Sequence, residues 1–410
     1  MYSTSRSLAA LVVALLPMVG LATLHLGLPV LAPLLMAEAG QPAAAFGWIS
    51  GAAGLGSVWF YTANHAMTPS LGPVRTLQVG VLVAVAGTLL ILTGNWTAML
   101  VGAVLAGFGY ATTTPAGSQI LADRTPREQW GMLFSLRQAG VPLGGVIAGA
   151  LGSLIVVAYG WRLALAAILA VAVTTGLALL FVPRSWNDAR PRQAFRLAEI
   201  FAPANVGRPF ALVIRSPALL QIALACAGFA AVQGTTIAFL VTYLNVGLGF
   251  ELVLAGQLFA IMQASSVVGR IVLGFLADRL GSPRIVLKVL ALMSAGSAGL
   301  LATVDATWST SALFTVAAVV GFSIATWNGL YLAEVASLVP PAEVSEATAG
   351  TTFFVFLTYM VTPPIQGLVI MTVGYGAAFL FAAVLALAAG VVLMLPVRKP
   401  RSAGATISRD

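Results

Sequence analysis

The sequence predicts an all-α membrane protein with twelve transmembrane helices arranged as two pseudo-symmetric six-helix bundles. Three observations carry this. First, 60% of its 410 residues are hydrophobic and only 8% are charged, where a water-soluble domain carries roughly 25% charged residues. A surface of this size could not be solvated by so few charges, so lipid must cover it. Second, the apolar runs are long and continuous, near the ~20 residues that a helix needs to cross a bilayer. Unbroken rather than alternating apolar runs favour helices over a barrel, and those are the two structures that satisfy their own backbone in hydrocarbon. Third, the second half of the chain echoes the first.

Taken in order, the predicted spans cover 8–36, 46–66, 74–94, 97–121, 129–158, 161–182, 217–243, 251–276, 286–304, 309–335, 347–372 and 375–396. The first lacks a cleavage site and is too long for a signal-peptide core, so it reads as a retained span. The clearest interruption, Pro183–Pro217, holds Arg184, Arg190, Arg192, Arg196, Arg208 and Arg215 against only Asp188 and Glu199. The chain therefore divides into an N-terminal bundle (1–183), a basic cytoplasmic linker (184–216), a C-terminal bundle (217–397) and a cytoplasmic tail (398–410). The echo lies at the ends of spans four and ten. Leu121-Ala122-Asp123 matches Leu332-Ala333-Glu334, and each is followed by a proline-containing turn and a glycine-bearing span (Gly131, Gly350). Internal repeats of this kind mark secondary transporters, with the solute site between the halves near the midplane.

Charge placement sets the orientation. Of 20 Lys and Arg residues, Arg162 alone falls on an outside loop and two, Arg137 and Arg270, fall within spans, leaving 17 on the termini and inside loops. The positive-inside rule then puts both termini in the cytoplasm, in a multi-pass protein of the cell (inner) membrane. The same asymmetry accounts for the net charge of +8 without a nucleic-acid partner; the expected partners are the bilayer and a small solute, and the expected state is a monomer. Cys226 stands alone, and His25 and His65 lie far apart with no cysteine beside them, so neither metal nor haem spacing exists. No cofactor is expected. Lys288 and Lys399 sit outside any nucleotide-binding loop, so ATP hydrolysis by this chain is excluded as the energy source. No paired acids or activated nucleophile suggest an enzyme.

After span eight comes Gly274-Phe275-Leu276-Ala277-Asp278-Arg279-Leu280-Gly281-Ser282-Pro283-Arg284. It closely resembles the G-x-L-A-D-r-x-G-x-r loop signature of the major facilitator superfamily. The corresponding loop after span two, Asn64 to Arg75, keeps Gly72 and Arg75 but lacks the acid. The resemblance covers the whole chain in architecture and mainly the second half in motif. It implies a cytoplasmic latch made of Gly274, Asp278, Arg279, Gly281 and Arg284, with Asp278 facing the start of span eleven, where a helix dipole favours an anion. It also implies a pair between Arg279 and Glu334, with Asp123 as the first-half counterpart of Glu334. Span five carries Arg137-Gln138-Ala139-Gly140-Val141-Pro142-Leu143-Gly144-Gly145, which partly resembles the superfamily's G-x-x-x-G-P-x-x-G-G antiporter motif. Val141 separates Gly140 from Pro142, so no antiport conclusion is drawn. Close helix packing accounts for Gly140, Gly144, Gly145 and Gly149.

The two intramembrane arginines are the chief site candidates. An Arg at a helix centre costs about 2.5–3.5 kcal/mol on insertion scales and so faces a partner or a cavity. Both lie roughly 10 Å in from the cytoplasmic ends of their helices, at 1.5 Å per residue, one in each half, and no Asp or Glu occupies the middle of a span. Two unpaired guanidiniums suit an anion, above all a carboxylate. An Arg just before the span-eight loop also resembles the oxalate and monocarboxylate branches of the superfamily, where it contacts the substrate carboxylate. Here the position four residues earlier is Ser266 rather than an acid, and span eleven has no Lys. Helical spacing adds Tyr61, Gln233, Gln263, Ser266, Asn328, Tyr331 and Tyr359 as candidate substrate-binding residues, and Gln138, next to Arg137, is a further candidate. His25, deep in span one, either carries a proton, lines the pocket, or bonds to a neighbouring helix. The expected function is secondary transport of a small organic anion by symport or antiport. The alternatives are a drug or metabolite efflux permease of the same fold and a transport-like membrane sensor.

Overall fold

The computed structural model describes residues 4–126, 129–187, 204–340 and 343–396. Sixteen helices carry the architecture: α1 (Thr4–Glu38), α2 (Phe46–Leu71), α3 (Pro73–Leu92), α4 (Trp96–Ala111), α5 (Thr113–Arg124), α6 (Trp130–Gln138), α7 (Gly140–Ile147), α8 (Ser153–Leu177), α9 (Ala204–Arg215), α10 (Pro217–Thr242), α11 (Leu252–Leu280), α12 (Pro283–Leu301), α13 (Thr310–Ile324), α14 (Trp327–Leu338), α15 (Val344–Val373) and α16 (Tyr375–Met394). No strand occurs among the described residues. Eleven stretches are long and apolar enough to cross a membrane, and one of them, Met132–Phe181, is 50 residues long. At 1.5 Å per residue that is about 75 Å, some two and a half times the ~30 Å of a hydrocarbon core. Gly160 breaks it with φ +82°, a left-handed value that glycine adopts without steric cost. The stretch is thus two spans, and the total is twelve.

The two halves start their corresponding helices alike. α3 and α12 open on Pro73 and Pro283, where a missing N–H costs nothing. α4 and α13 are N-capped by Asn95, which accepts from the Ala98 amide (3.1 Å), and by Ser309, which accepts from the Ala312 amide (3.3 Å).

Three spans expected to be continuous are broken. Span four divides at Thr112 and span ten at Ala325-Thr326, so each half has one discontinuous helix at the corresponding place. In span four, Pro115 has no N–H to offer the Ala111 carbonyl. In span ten, the Thr326 hydroxyl donates to the Phe322 carbonyl (2.9 Å), the acceptor its own amide would take in an unbroken helix. Span five divides at Ala139 and passes through a π-helical turn, Ala148–Gly152.

We call the side where α1 begins and α16 ends the terminal face. On the opposite side the halves close against each other along two seams. On α2, a Cβ at Gly51 or Gly54 would stand 2.5–2.7 Å from Pro364 or Met360 of α15. Pro364 also strips the Met360 carbonyl of its helical partner, and Gly51 lies against that oxygen. On the other side, Gly149 meets Gly256 and Ala260 of α11, and Gly145 meets Gln263. Small residues let these backbones approach without lateral hydrophobic drive, which lipid does not supply. Arg162 and Glu38, also on this side, form an exposed ion pair at 2.6 Å.

The predicted linker is not featureless. Its central part, 188–203, lies outside the described residues, as do the tail 398–410 and Arg190, Arg192 and Arg196. Ala204–Arg215, however, is a helix that packs on α15 and α2. Val213 is fully buried and the Phe210 ring stacks on Phe354 at 5.3 Å. Alternation between basic and apolar residues hid this segment among the arginines.

Candidate functional site

Arg270 leaves α11 and reaches out of its own half. One terminal nitrogen donates to the Gln138 carbonyl (3.2 Å) and the other to the Ala325 carbonyl (3.1 Å). Both acceptors are explained locally. The helical partner of the Gln138 carbonyl would be the amide of residue 142, and that residue is Pro142, which has none. Ala325 sits at the break between α13 and α14. Arg270 therefore ties span eight to span five of the other half and to the break in span ten, using two of its five N–H donors. Its Nε is buried without a partner.

Arg137 is built differently. It is 1% exposed and stays within its own half. Its guanidinium donates to the Thr113 carbonyl (3.2 Å) and the Ser118 hydroxyl (3.0 Å) and lies 3.8 Å from the Met18 sulfur. Its Nε is also buried and unpartnered. The expectation that both arginines converge on one open space is thus corrected. Arg137 braces the break in span four from inside the bundle, and Arg270 alone bridges the halves. Neither is ion-paired to an acid among the described residues.

Tyr110 lies between them, and sequence reading missed it. Its hydroxyl interacts electrostatically with both guanidiniums, and its ring stacks on His25, with centroids 4.4 Å apart and planes 3° from parallel. The His25 Nδ1 is buried with no hydrogen-bond partner. Tyr61 is close to Arg137 and Tyr359 to Arg270, and the Tyr61 ring packs against Phe356 across the halves at 4.7 Å. Gln233 accepts from both Trp327 Nε1 (2.8 Å) and the Tyr359 hydroxyl (2.9 Å). Arg270, the Tyr61 and Tyr359 phenols and, through Tyr110, the His25 imidazole are thus grouped where the halves meet, while the Arg137 guanidinium acts on Tyr61 and Tyr110 from within the first bundle. Tyr110, an aromatic inside an apolar run, carried no signal; its position one residue before the Ala111 carbonyl freed by Pro115 is the clue available in retrospect.

Other candidates turn inward. The Ser266 hydroxyl, fully buried, donates to the Gln263 carbonyl of its own helix (2.8 Å), and Gln263 is 3% exposed and wedged against Gly145. Tyr331 hydrogen-bonds Thr352 across α14 and α15. Gln138 contributes its carbonyl to Arg270. Asn328 is half-buried in the first turn of α14, where a helix leaves its amides without internal partners.

The latch residues also differ from expectation. Glu334 is paired with Arg284 at 3.7 Å, not with Arg279. Arg284 also donates to Gln221 Oε1 and to the Leu393 carbonyl (3.0 Å), so it ties the ends of α10, α14 and α16 to α12 within one half. Arg279 is too far out along α11: it and Asp278 are exposed at the helix end, before Gly281 turns the chain with φ +63°. Neither side chain has a hydrogen-bond or ion-pair partner among the described residues. α11 packs along α7, α12 and α13, whereas α15 packs on α2, α9 and α10, and among the described residues no hydrogen bond or ion pair joins Asp278 to the start of α15. Asp123 is half-buried at the end of α5 and Gly274 lies in open space on α11.

The chain matches the family model described as Major Facilitator Superfamily over residues 14–349. It is 25% identical over 343 residues to an uncharacterized MFS-type transporter of Mycobacterium tuberculosis (strain CDC 1551 / Oshkosh), covering 83% of this chain and 72% of that protein. An MFS-type transporter of Gibberella moniliformis (strain M3125 / FGSC 7600) is 26% identical over 258 residues, 60% of this chain and 56% of that one. Among solved structures, the nucleoside transporter NupG superposes with TM-score 0.75 at 16% identity, covering 94% of this chain and 98% of that one. The peptide transporter POT gives 0.73 at 16% identity, covering 93% of each. An inward-facing bacterial homologue of the human lysosomal transporter Spinster gives 0.68 at 19% identity, covering 95% of each. These structural likenesses bear on fold, and the family match covers most of the chain: it is a multi-pass membrane transporter, not an enzyme, and belongs to the Major Facilitator Superfamily.

Proposed function

We propose that this chain is a secondary transporter of a small organic anion, with a carboxylate as cargo, and that Arg270 is the residue that binds it. One observation carries the reading: a cation that spans both halves, compensated by backbone carbonyls and, among the described residues, by no acid. A carbonyl dipole offsets a buried charge only in part, and a carboxylate would offset it fully through a bidentate pair. The three N–H groups of Arg270 not used by Gln138 and Ala325 are free for that purpose. Tyr110, whose phenol interacts with the same guanidinium, would donate to the second carboxylate oxygen, while the Tyr359 hydroxyl stays on Gln233. The first turn of α14, with Asn328, adds a half-helix N-terminus of the kind that receives anionic groups in transporters.

Arg137 then acts by holding the discontinuous span four in place, and its charge adds to the field at Tyr110. The seams α2–α15 and α7–α11 close the opposite face, which supports a state accessible from the terminal face. The distribution of Lys and Arg supports assigning that face to the cytoplasm of a bacterial inner membrane. His25 is the candidate proton carrier, because it stacks on the tyrosine shared by both arginines. Asp278 and Arg279, without a partner among the described residues, are available to form a latch in the other state.

A second reading has its own support. The ring-rich surroundings (Tyr61, Tyr110, Trp327, Phe356, Tyr359) suit a planar, uncharged solute, and a fold neighbour, NupG, is a nucleoside transporter. Counterflow in proteoliposomes separates the two. The anion reading expects saturable exchange of a monocarboxylate that is not inhibited by the matching amide. Inhibition by amide and acid alike would favour the neutral solute.

A further inference from the structure

A cavity of about 290 Å³ opens at the terminal face of the second half, lined by Ala218, Arg284, Lys288, Leu338 and the end of α16 from Leu393 to Pro396. Arg284 and Lys288 are four residues apart on α12 and so share one helix face. The nearby acid, Glu334, is 3.7 Å from Arg284. Lys288 has no hydrogen-bond or ion-pair partner among the described residues. The rest of the lining is apolar. Beside the mouth, Ile285 and Val289 on α12 and Met394 and Leu395 on α16 are each about half exposed, forming an apolar surface of the kind that acyl chains cover.

We propose that this cavity binds the phosphate of an anionic phospholipid headgroup, with Lys288 as its principal contact and Arg284 as its second. Three features converge on that class of ligand. Two cations meet one acid, which leaves an excess positive charge. The volume holds a phosphodiester and its glycerol. The cavity lies where α10 and α12 begin and α14 and α16 end, at headgroup depth, with lipid-facing apolar side chains continuing from it. Basic pockets between transmembrane helices on the positively charged side are where anionic headgroups are held. A soluble phosphate would satisfy the same cations but would leave the apolar rim unused. Through Arg284, which already joins Gln221, Glu334 and Leu393, the bound headgroup would brace four helix ends together. The site is separate from the solute site and stands or falls independently of it.

The test uses the purified full chain and Lys288→Gln, a change that leaves the Arg284 ties in place, with Lys288→Arg as the conservative variant. Native mass spectrometry with phosphatidylglycerol and phosphatidylcholine reads headgroup-selective retention, and thermal melting in vesicles of each lipid reads stabilisation. The expected result is one selectively retained phosphatidylglycerol on the wild type, bound at least about fivefold more weakly by Lys288→Gln and recovered in Lys288→Arg. Equal retention by wild type and Lys288→Gln overturns the assignment. So does inorganic phosphate that stabilises the protein as much as phosphatidylglycerol vesicles do, since the ligand would then be a soluble anion.

Discussion

Arg137 and Arg270 sit at similar depth in opposite halves, and both brace a broken helix by donating to backbone carbonyls, yet they face different tasks. Arg137 is sealed inside one bundle, between Thr113, Ser118 and Met18. Arg270 reaches across to the Gln138 carbonyl of the other bundle. The difference comes from the acceptors. Ser118 and Thr113 move with Arg137 as one body, so that contact is indifferent to the alternation of the halves. In the proposed alternation of the halves the Gln138 carbonyl would not move with Arg270, so that contact would break and reform. A solute that replaces it would couple binding to motion.

The comparison breaks most visibly if the two arginines are exchanged for neutral residues. Arg270→Gln removes charge-assisted hydrogen bonds, which contribute about 1.5–3 kcal/mol each, or ~10–100-fold in apparent affinity. We expect that loss in saturable anion uptake with normal membrane levels, measured in proteoliposomes. Arg137→Gln should instead lower the melting temperature, because the Thr113 carbonyl and its surroundings lose a buried donor worth about 1–3 kcal/mol, with a smaller change in the uptake that remains. Melting and flux measured side by side separate the two; equal flux losses with no change in melting would erase the distinction.

Three further variants sharpen it. Gly54→Val places a branched side chain against the backbone of Met360, where even a Cβ would stand at 2.6 Å. The α2–α15 seam should then open, and spin-label distances across the opposite face should lengthen. Pro142→Ala gives the Gln138 carbonyl an amide partner inside its own helix and weakens its hold on Arg270. We expect a shift of a few-fold in the population closed at the opposite face, read by the same distances, with little change in melting. The smallest effect belongs to Ser266→Ala. Its hydroxyl serves only its own helix, so uptake should change less than about twofold; a large loss would return Ser266 to the site.

Much of this was legible from residue order. The spans, the halves, the loop glycines and the two cations follow from hydropathy, repeat and charge. Pro115 and Pro142 were visible too, but not their consequence: a proline acts on the carbonyl four residues earlier, and what fills that acceptor is decided by another helix. Thus Gln138 entered the site through its backbone, whereas sequence reading weighs side chains. Tyr110 was invisible for a related reason, since a phenol in an apolar run scores as core until its neighbours are known. The Arg284–Glu334 pair escaped because Arg279 is nearer in the motif, while the helix phase of α12 puts Arg284 at the ends of α14 and α16. Helix α9 was concealed by the arginines around it.

The proposal turns on a guanidinium on α11, held by carbonyls and by no acid among the described residues, that receives the anionic group of the solute. A thermal-shift titration of the purified protein against small carboxylates tests it most directly, because a ligand of the folded state raises apparent stability by mass action. The account predicts a saturable upward shift with at least one carboxylate, absent with its amide and absent in Arg270→Gln. An equal shift in Arg270→Gln, or with the amide on the wild type, would contradict it.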